Sequence, residues 1–75
     1  MDEQIIAIIA RILEVPIEEI NMDTAVGDLP EWDSLHHVMI VTELEKIYNI
    51  KFSQEDLMEL EDVSDLISLV KELSK

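Results

Sequence analysis

Ile5, Ile6, Ile9, Ile12 and Leu13 recur at the i, i+4, i+7 spacing of one helix face, and this period constrains the fold more than any other feature of the chain. A helix carrying such a stripe is stable only when the stripe packs against other elements. The pattern returns at the other end of the chain in Leu66, Ile67, Val70 and Leu73. Apolar residues make up 48% of the sequence and aromatics only 4%, which suits a bundle of short helices held by aliphatic packing. Seventy-five residues leave room for one core, so residues 1–75 are expected to form a single domain. A chain of this size buries only about 60% of the surface its unfolded form exposes, so its stability is marginal. There is no cysteine, which excludes disulfide staples, thiolate nucleophiles and cysteine metal sites.

Local signals divide the chain into four helices. The first is expected over Asp2–Glu14, with Asp2 and Glu3 complementing the dipole of its first turn and Pro16 stopping it. A stretch from Val15 to Trp32 follows, in which Pro16–Ile20 suits a single helical turn and Gly27 and Pro30 mark bends. Its apolar residues Val15, Ile17, Ile20, Met22, Val26 and Leu29 predict an ordered loop packed over the bundle rather than a disordered linker. The second helix starts at Asp33 or Ser34, with Asp33 as N-cap, and runs to about Tyr48. Ser53-Gln54-Glu55-Asp56 opens a short third helix with Leu57 and Leu60 inward. Asp62-Val63-Ser64-Asp65 opens a fourth, with Lys71 and Lys75 near its end. The expected fold is all-α: a four-helix bundle with a long first loop and a short third helix.

Eighteen Asp and Glu against five Lys and Arg give a net charge of -13. Such a polyanion repels nucleic-acid phosphates and anionic membrane surfaces, so neither is an expected partner. Basic protein surfaces are, and the field speeds their encounter. No Lys or Arg falls between Arg11 and Lys46, leaving Glu31, Asp33, Glu43 and Glu45 without a nearby cation in sequence. Met1 is followed by acids rather than by the basic start and apolar run of a signal peptide. No apolar run approaches the roughly 20 residues needed to span a bilayer. The expectation is a cytoplasmic monomer with no membrane insertion.

The second helix carries two apolar stripes. At about 100° per residue, His37, Ile40, Val41, Leu44, Ile47 and Tyr48 fall on one side, the expected core face. Leu35, Val38, Met39 and Thr42 fall on another, only in the N-terminal half. Two readings fit the second stripe: packing beneath the long loop, or an exposed docking patch rimmed by Glu31, Asp33, Glu43 and Glu45. Methionine suits a surface that adapts to several partners. Ser34 stands at the head of the stripe.

The run Asp33-Ser34-Leu35, followed by Val38, Leu44 and an aromatic at Tyr48, resembles the acyl carrier protein family. The likeness covers nearly the whole chain in length, charge and helix order. It implies that Ser34 receives a 4'-phosphopantetheine arm from coenzyme A, attached by a phosphopantetheinyl transferase with a divalent metal ion. The arm's terminal thiol would hold an acyl group as a thioester, so a cysteine-free chain would do thiol chemistry through its cofactor. A phosphodiester on Ser34 would lie at a helix N-terminus, where amides and dipole favour an anion. The resemblance further implies that Asp33 orients the motif. Leu35, Val38 and Met39, with Glu31, Glu43 and Glu45, would meet acyl-transferring or acyl-ligating enzymes through basic docking patches. Family members in fatty-acid synthesis usually have a glycine shortly before the motif and an acid where Met39 stands. Pro30-Glu31-Trp32, Met39 and His36-His37 depart from that pattern, and Trp32 looks more like a carrier of a specialised acyl or polyketide pathway. An aminoacyl or peptidyl carrier, and an unmodified acidic interaction module, are the competing readings.

No enzyme is expected. His36 and His37 are adjacent and point about 100° apart on a helix, so they do not chelate one ion. His37 is expected partly in the core and His36 at the surface. No calcium-loop spacing is present, and Ser53, Ser64 and Ser68 read as cap or surface residues. Neither catalytic nor metal-binding residues are assigned. The aliphatic core is expected to part enough to shelter an acyl chain between helices.

Overall fold

The computed structural model describes residues 2–74. Within them lie four α-helices and no strand: α1 (Asp2–Leu13), α2 (Ser34–Tyr48), α3 (Gln54–Glu59) and α4 (Val63–Leu73). Lys75, expected near the end of α4, lies outside the described residues, as does Met1.

The helices begin where side-chain acceptors meet free amides. Asp33 caps α2 by accepting from the His36 amide at 2.9 Å, and Asp62 caps α4 by accepting from the Asp65 amide at 2.8 Å. Ser53 and Asp56 form a reciprocal capping box on α3, both bonds being 3.1 Å. Two helices end in left-handed residues. Glu14 (φ 58°) and Asn49 (φ 53°) reverse the chain after α1 and α2, letting Val15 and Ile50 donate back to Ala10 and Glu45. Helix α1 therefore stops at Leu13, closed by this turn before Pro16 is reached.

One apolar cluster joins Ile5, Ile9 and Leu13 of α1, Ile40, Val41 and Leu44 of α2, and Leu66, Ile67 and Val70 of α4. Helix α1 runs against α2 in the opposite sense. Tyr48 reaches Gln4 at 3.4 Å, and Arg11 pairs with Glu43 at 3.4 Å. Ile47 departs from the expected core face and is 48% exposed. It has the right angular position but lies in the last turn of α2, where the buried part of the face has already ended at Leu44. Leu57, expected inward, is also at the surface. The short α3 buries none of its own residues, and Leu60 just beyond it reaches the core instead.

The long loop is ordered by backbone bonds rather than by uniform apolar packing. Pro16–Ile20 folds into a 3₁₀ turn at Ile17–Glu19. Ala25 forms an isolated antiparallel bridge with Asp62, the Val26 amide donates to Glu61 at 2.9 Å, and Val63 and Ser64 donate back to Thr24 and Met22. This stitching fastens the loop to the α3–α4 connection. Ile20, Thr24 and Trp32 are its buried residues, whereas Ile17, Met22 and Val26 lie at the surface. Gly27, at φ 93°, donates its amide to the Trp32 carbonyl at 3.0 Å and turns the chain back toward α2.

Candidate functional site

The start of α2 is built from both sides. From the loop, Trp32 is fully buried. Its indole Nε1–H donates to His37 Nδ1 at 3.2 Å, tying the residue before the motif to the second turn of α2. From the helix, Asp33 takes the His36 amide on its side chain and the His37 amide on its carbonyl, the latter at 2.9 Å. His36 Nδ1 lies 2.9 Å from the same Asp33 oxygen. The bond from the His36 amide, with that from its side chain, holds the Asp33 carboxyl below the usual carboxylate range. A fixed anion thus stands beside Ser34.

Ser34 is the first residue of α2 and is exposed. Its hydroxyl has no hydrogen-bond partner among the described residues, and neither do the Ser34 and Leu35 amides. An anion bound to the Ser34 oxygen would find unsatisfied amides and the positive end of the helix dipole. An open groove of about 480 Å³ adjoins it, lined by Ala25, Val26, Ser34, His37, Val38, Leu57, Leu60 and Glu61. A second, of about 200 Å³, continues along α2 past the shared residues His37, Val38 and Leu57 to Val41, Thr42 and Glu45.

His37 sits where the two grooves meet, half-buried as its place on the helix led us to expect. Burial pushes its imidazole below the usual histidine range. An indole N–H can only donate, so Nδ1 must accept and the neutral ring carries its proton on Nε2. That Nε2 is buried and has no hydrogen-bond partner. An unsatisfied buried donor costs about 1–3 kcal/mol.

The second stripe of α2 lies in the open. Leu35 is 67% exposed, Val38 60% and Met39 46%, so it does not pack beneath the loop. The surrounding acids differ in what they do. Glu31 has no hydrogen-bond or ion-pair partner among the described residues. Glu43 is engaged by Arg11, and Glu45 accepts the Phe52 amide at 2.8 Å, closing the α2–α3 connection. Met58, 83% exposed on α3, is a further apolar side chain at the surface. Periodicity did not single it out, because a six-residue helix is too short to define a face. No group of three or more metal-type ligands occurs among the described residues, and no helix there is long and apolar enough to cross a membrane.

A small helical bundle that presents an unpartnered serine at a helix N-terminus, beside a largely apolar groove and an acid-rimmed patch, fits a carrier of covalently attached groups. Comparison with known proteins supports that class and narrows it. Residues 3–70 match the phosphopantetheine attachment site family. An acyl carrier protein of Rickettsia bellii strain OSU 85-389 is 31% identical over 72 residues, covering 96% of this chain and 89% of the relative. Its counterpart in strain RML369-C is 29% identical, covering 96% and 84%. The solution structure of a holo acyl carrier protein from Geobacter metallireducens superposes with a TM-score of 0.86 at 29% identity, covering 96% of this chain and 83% of that one. The chain belongs to the acyl carrier protein family. It is a carrier rather than an enzyme, and its cofactor is covalently attached phosphopantetheine.

Proposed function

We propose that Ser34 is the attachment point of the arm, and that the chain, a cytoplasmic monomer, presents acyl groups to enzymes of a fatty-acid-like or specialised acyl or polyketide pathway. The observation that carries this reading is the exposed, unpartnered Ser34 hydroxyl at the first turn of α2, with unsatisfied amides beside it. The arm supplies a thiol on which acyl groups are held as thioesters. The chain supplies position. Asp33 holds the first turn through the His36 amide, so the Ser34 side chain leaves the helix in a defined direction. The amides of Ser34 and Leu35 and the helix dipole offset the charge of the phosphodiester.

Partner binding follows from the same surface. The family acts with a phosphopantetheinyl transferase and with acyl-handling enzymes. Leu35, Val38 and Met39 offer exposed apolar anchors that docking would desolvate, while Glu31 and, in part, Glu43 steer basic patches. Glu45 contributes charge at longer range, because its carboxylate is already taken by Phe52. The indole of Trp32 and the histidine pair His36-His37 before and after the motif support a dedicated pathway over general fatty-acid synthesis.

Intact mass after incubation with coenzyme A, magnesium and a broad-specificity phosphopantetheinyl transferase tests the reading. A single phosphopantetheine addition is expected, and none in Ser34→Ala. The variant should melt within about 0.5 kcal/mol of the parent, since the exposed hydroxyl supports nothing in the fold. No addition to a folded, initially unmodified chain would leave an unmodified acidic interaction module, whose binding Ser34→Ala would spare.

A further inference from the structure

Neither the fold nor arm attachment at Ser34 requires a donor at His37. A core helix position is ordinarily aliphatic, yet here a histidine lines the groove that begins at Ser34. Its Nδ1 is committed to Trp32, which leaves Nε2–H as the remaining polar group, buried and unpartnered. Around it the groove is mainly apolar: Ala25, Val26, Val38, Leu57 and Leu60 line it, with Ser34 and Glu61 as its other polar residues. Val38 and Leu57 are themselves surface residues, so small side-chain movements would uncover the ring. An occupant must bring apolar surface for the wall and one oxygen acceptor for the donor.

We propose that His37 is a specificity-determining residue, and that its Nε2–H donates to an oxygen on the acyl cargo, favouring β-keto or β-hydroxy acyl groups over saturated ones. The proposal rests on arm attachment at Ser34. The occupant is the cargo rather than the arm. The arm is rich in amides and stays better solvated in water, whereas the apolar wall selects a hydrocarbon chain with a single polar point. A saturated chain fills the same groove but carries no oxygen beyond its thioester carbonyl, so with that carbonyl outside the groove it leaves the donor unsatisfied. An oxygenated chain of equal length satisfies it, and the difference between them is the selectivity.

The test uses the full chain in five forms: unmodified, with the free-thiol arm, and loaded with a medium-length saturated acyl group or with its β-keto or β-hydroxy counterpart of equal length. Intact mass is read first. Failure to load at Ser34 overturns the carrier reading itself, separately from this inference. On loaded samples, the His37 ring-nitrogen signals are followed by NMR and melting midpoints by circular dichroism. The expected result is a shifted Nε2–H signal and about tenfold slower Nε2–H exchange only with oxygenated cargo. That cargo should also raise the midpoint several degrees beyond the saturated one. In His37→Phe the excess disappears while the saturated cargo still stabilises. The nitrogen signals are read on the unaltered chain, so the outcome stands even if that variant does not fold. Unmoved His37 signals and equal midpoints across all acyl forms would overturn the proposal. So would a shift already complete in the free-thiol form, which would assign the donor to the arm.

Discussion

Burying Trp32 takes its indole N–H out of water, and His37 Nδ1, one turn into α2, accepts it at 3.2 Å. The bond works only while the imidazole is neutral, because a protonated ring has no acceptor. Burial already holds the His37 pKa below the usual range. The unfolded chain takes up a proton at about pH 6.5, while the native ring resists until lower pH. The contribution of this group to stability is therefore complete above about pH 6.5 and is lost progressively as pH falls below it. His37→Gln keeps an oxygen acceptor for the indole but does not titrate. From neutral pH to about pH 5.5, the melting midpoint of the parent should fall relative to that variant, the carboxylates being common to both. Parallel profiles would show that His37 does not protonate with unfolding.

At the scale of the element, α3 is the weakest part of the bundle. Six residues make an intrinsically unstable helix, none of them is buried, and its start depends on the Ser53–Asp56 capping box. Loss of such a cap costs about 1 kcal/mol. Ser53→Ala should accordingly speed amide exchange in α3 about fivefold, leaving α1 and α4 unchanged, as native-state hydrogen exchange would read. Because α3 supplies Leu57 to the groove beside Ser34, the wall that the proposed cargo would part is the one least costly to move. Equal effects on all helices would mean that α3 opens only with global unfolding.

Across the whole molecule, charge works against compaction. The net charge is -13, and the Lys and Arg pairs in the described residues are Arg11–Glu43 at 3.4 Å and Lys71–Asp2 at 2.9 Å. Both tie α1 to a neighbouring helix, but exposed pairs contribute only about 0–1 kcal/mol each. Repulsion among the remaining acids is expected to outweigh them. Raising ionic strength from about 0.01 M to about 0.15 M shortens the screening length from about 30 Å to about 8 Å. It should raise the melting midpoint by several degrees, where about 1 kcal/mol corresponds to about 4–8 °C at this size. The same salt should slow association with a basic partner. A midpoint that falls with salt would mean the two ion pairs matter more than the repulsion.

Whatever is encoded locally could be read from the order of the residues. Helix starts were legible in Asp33, Ser53-Asp56 and Asp62, because a cap needs only amides two or three residues away. The Asp33-Ser34-Leu35 motif and the second apolar stripe could likewise be read as neighbours on one helix. The tertiary structure alone decided what depends on distant partners. It buried Trp32 against α2, bound the loop to the α3–α4 connection through Thr24 and Val26, and turned Glu45 from a rim acid into an acceptor for Phe52. It also left Ile47 and Leu57 outside a core that their spacing favoured. Periodicity fixes the direction in which a side chain leaves its helix. Whether another element waits there depends on how the helices end and cross, and no local pattern contains that.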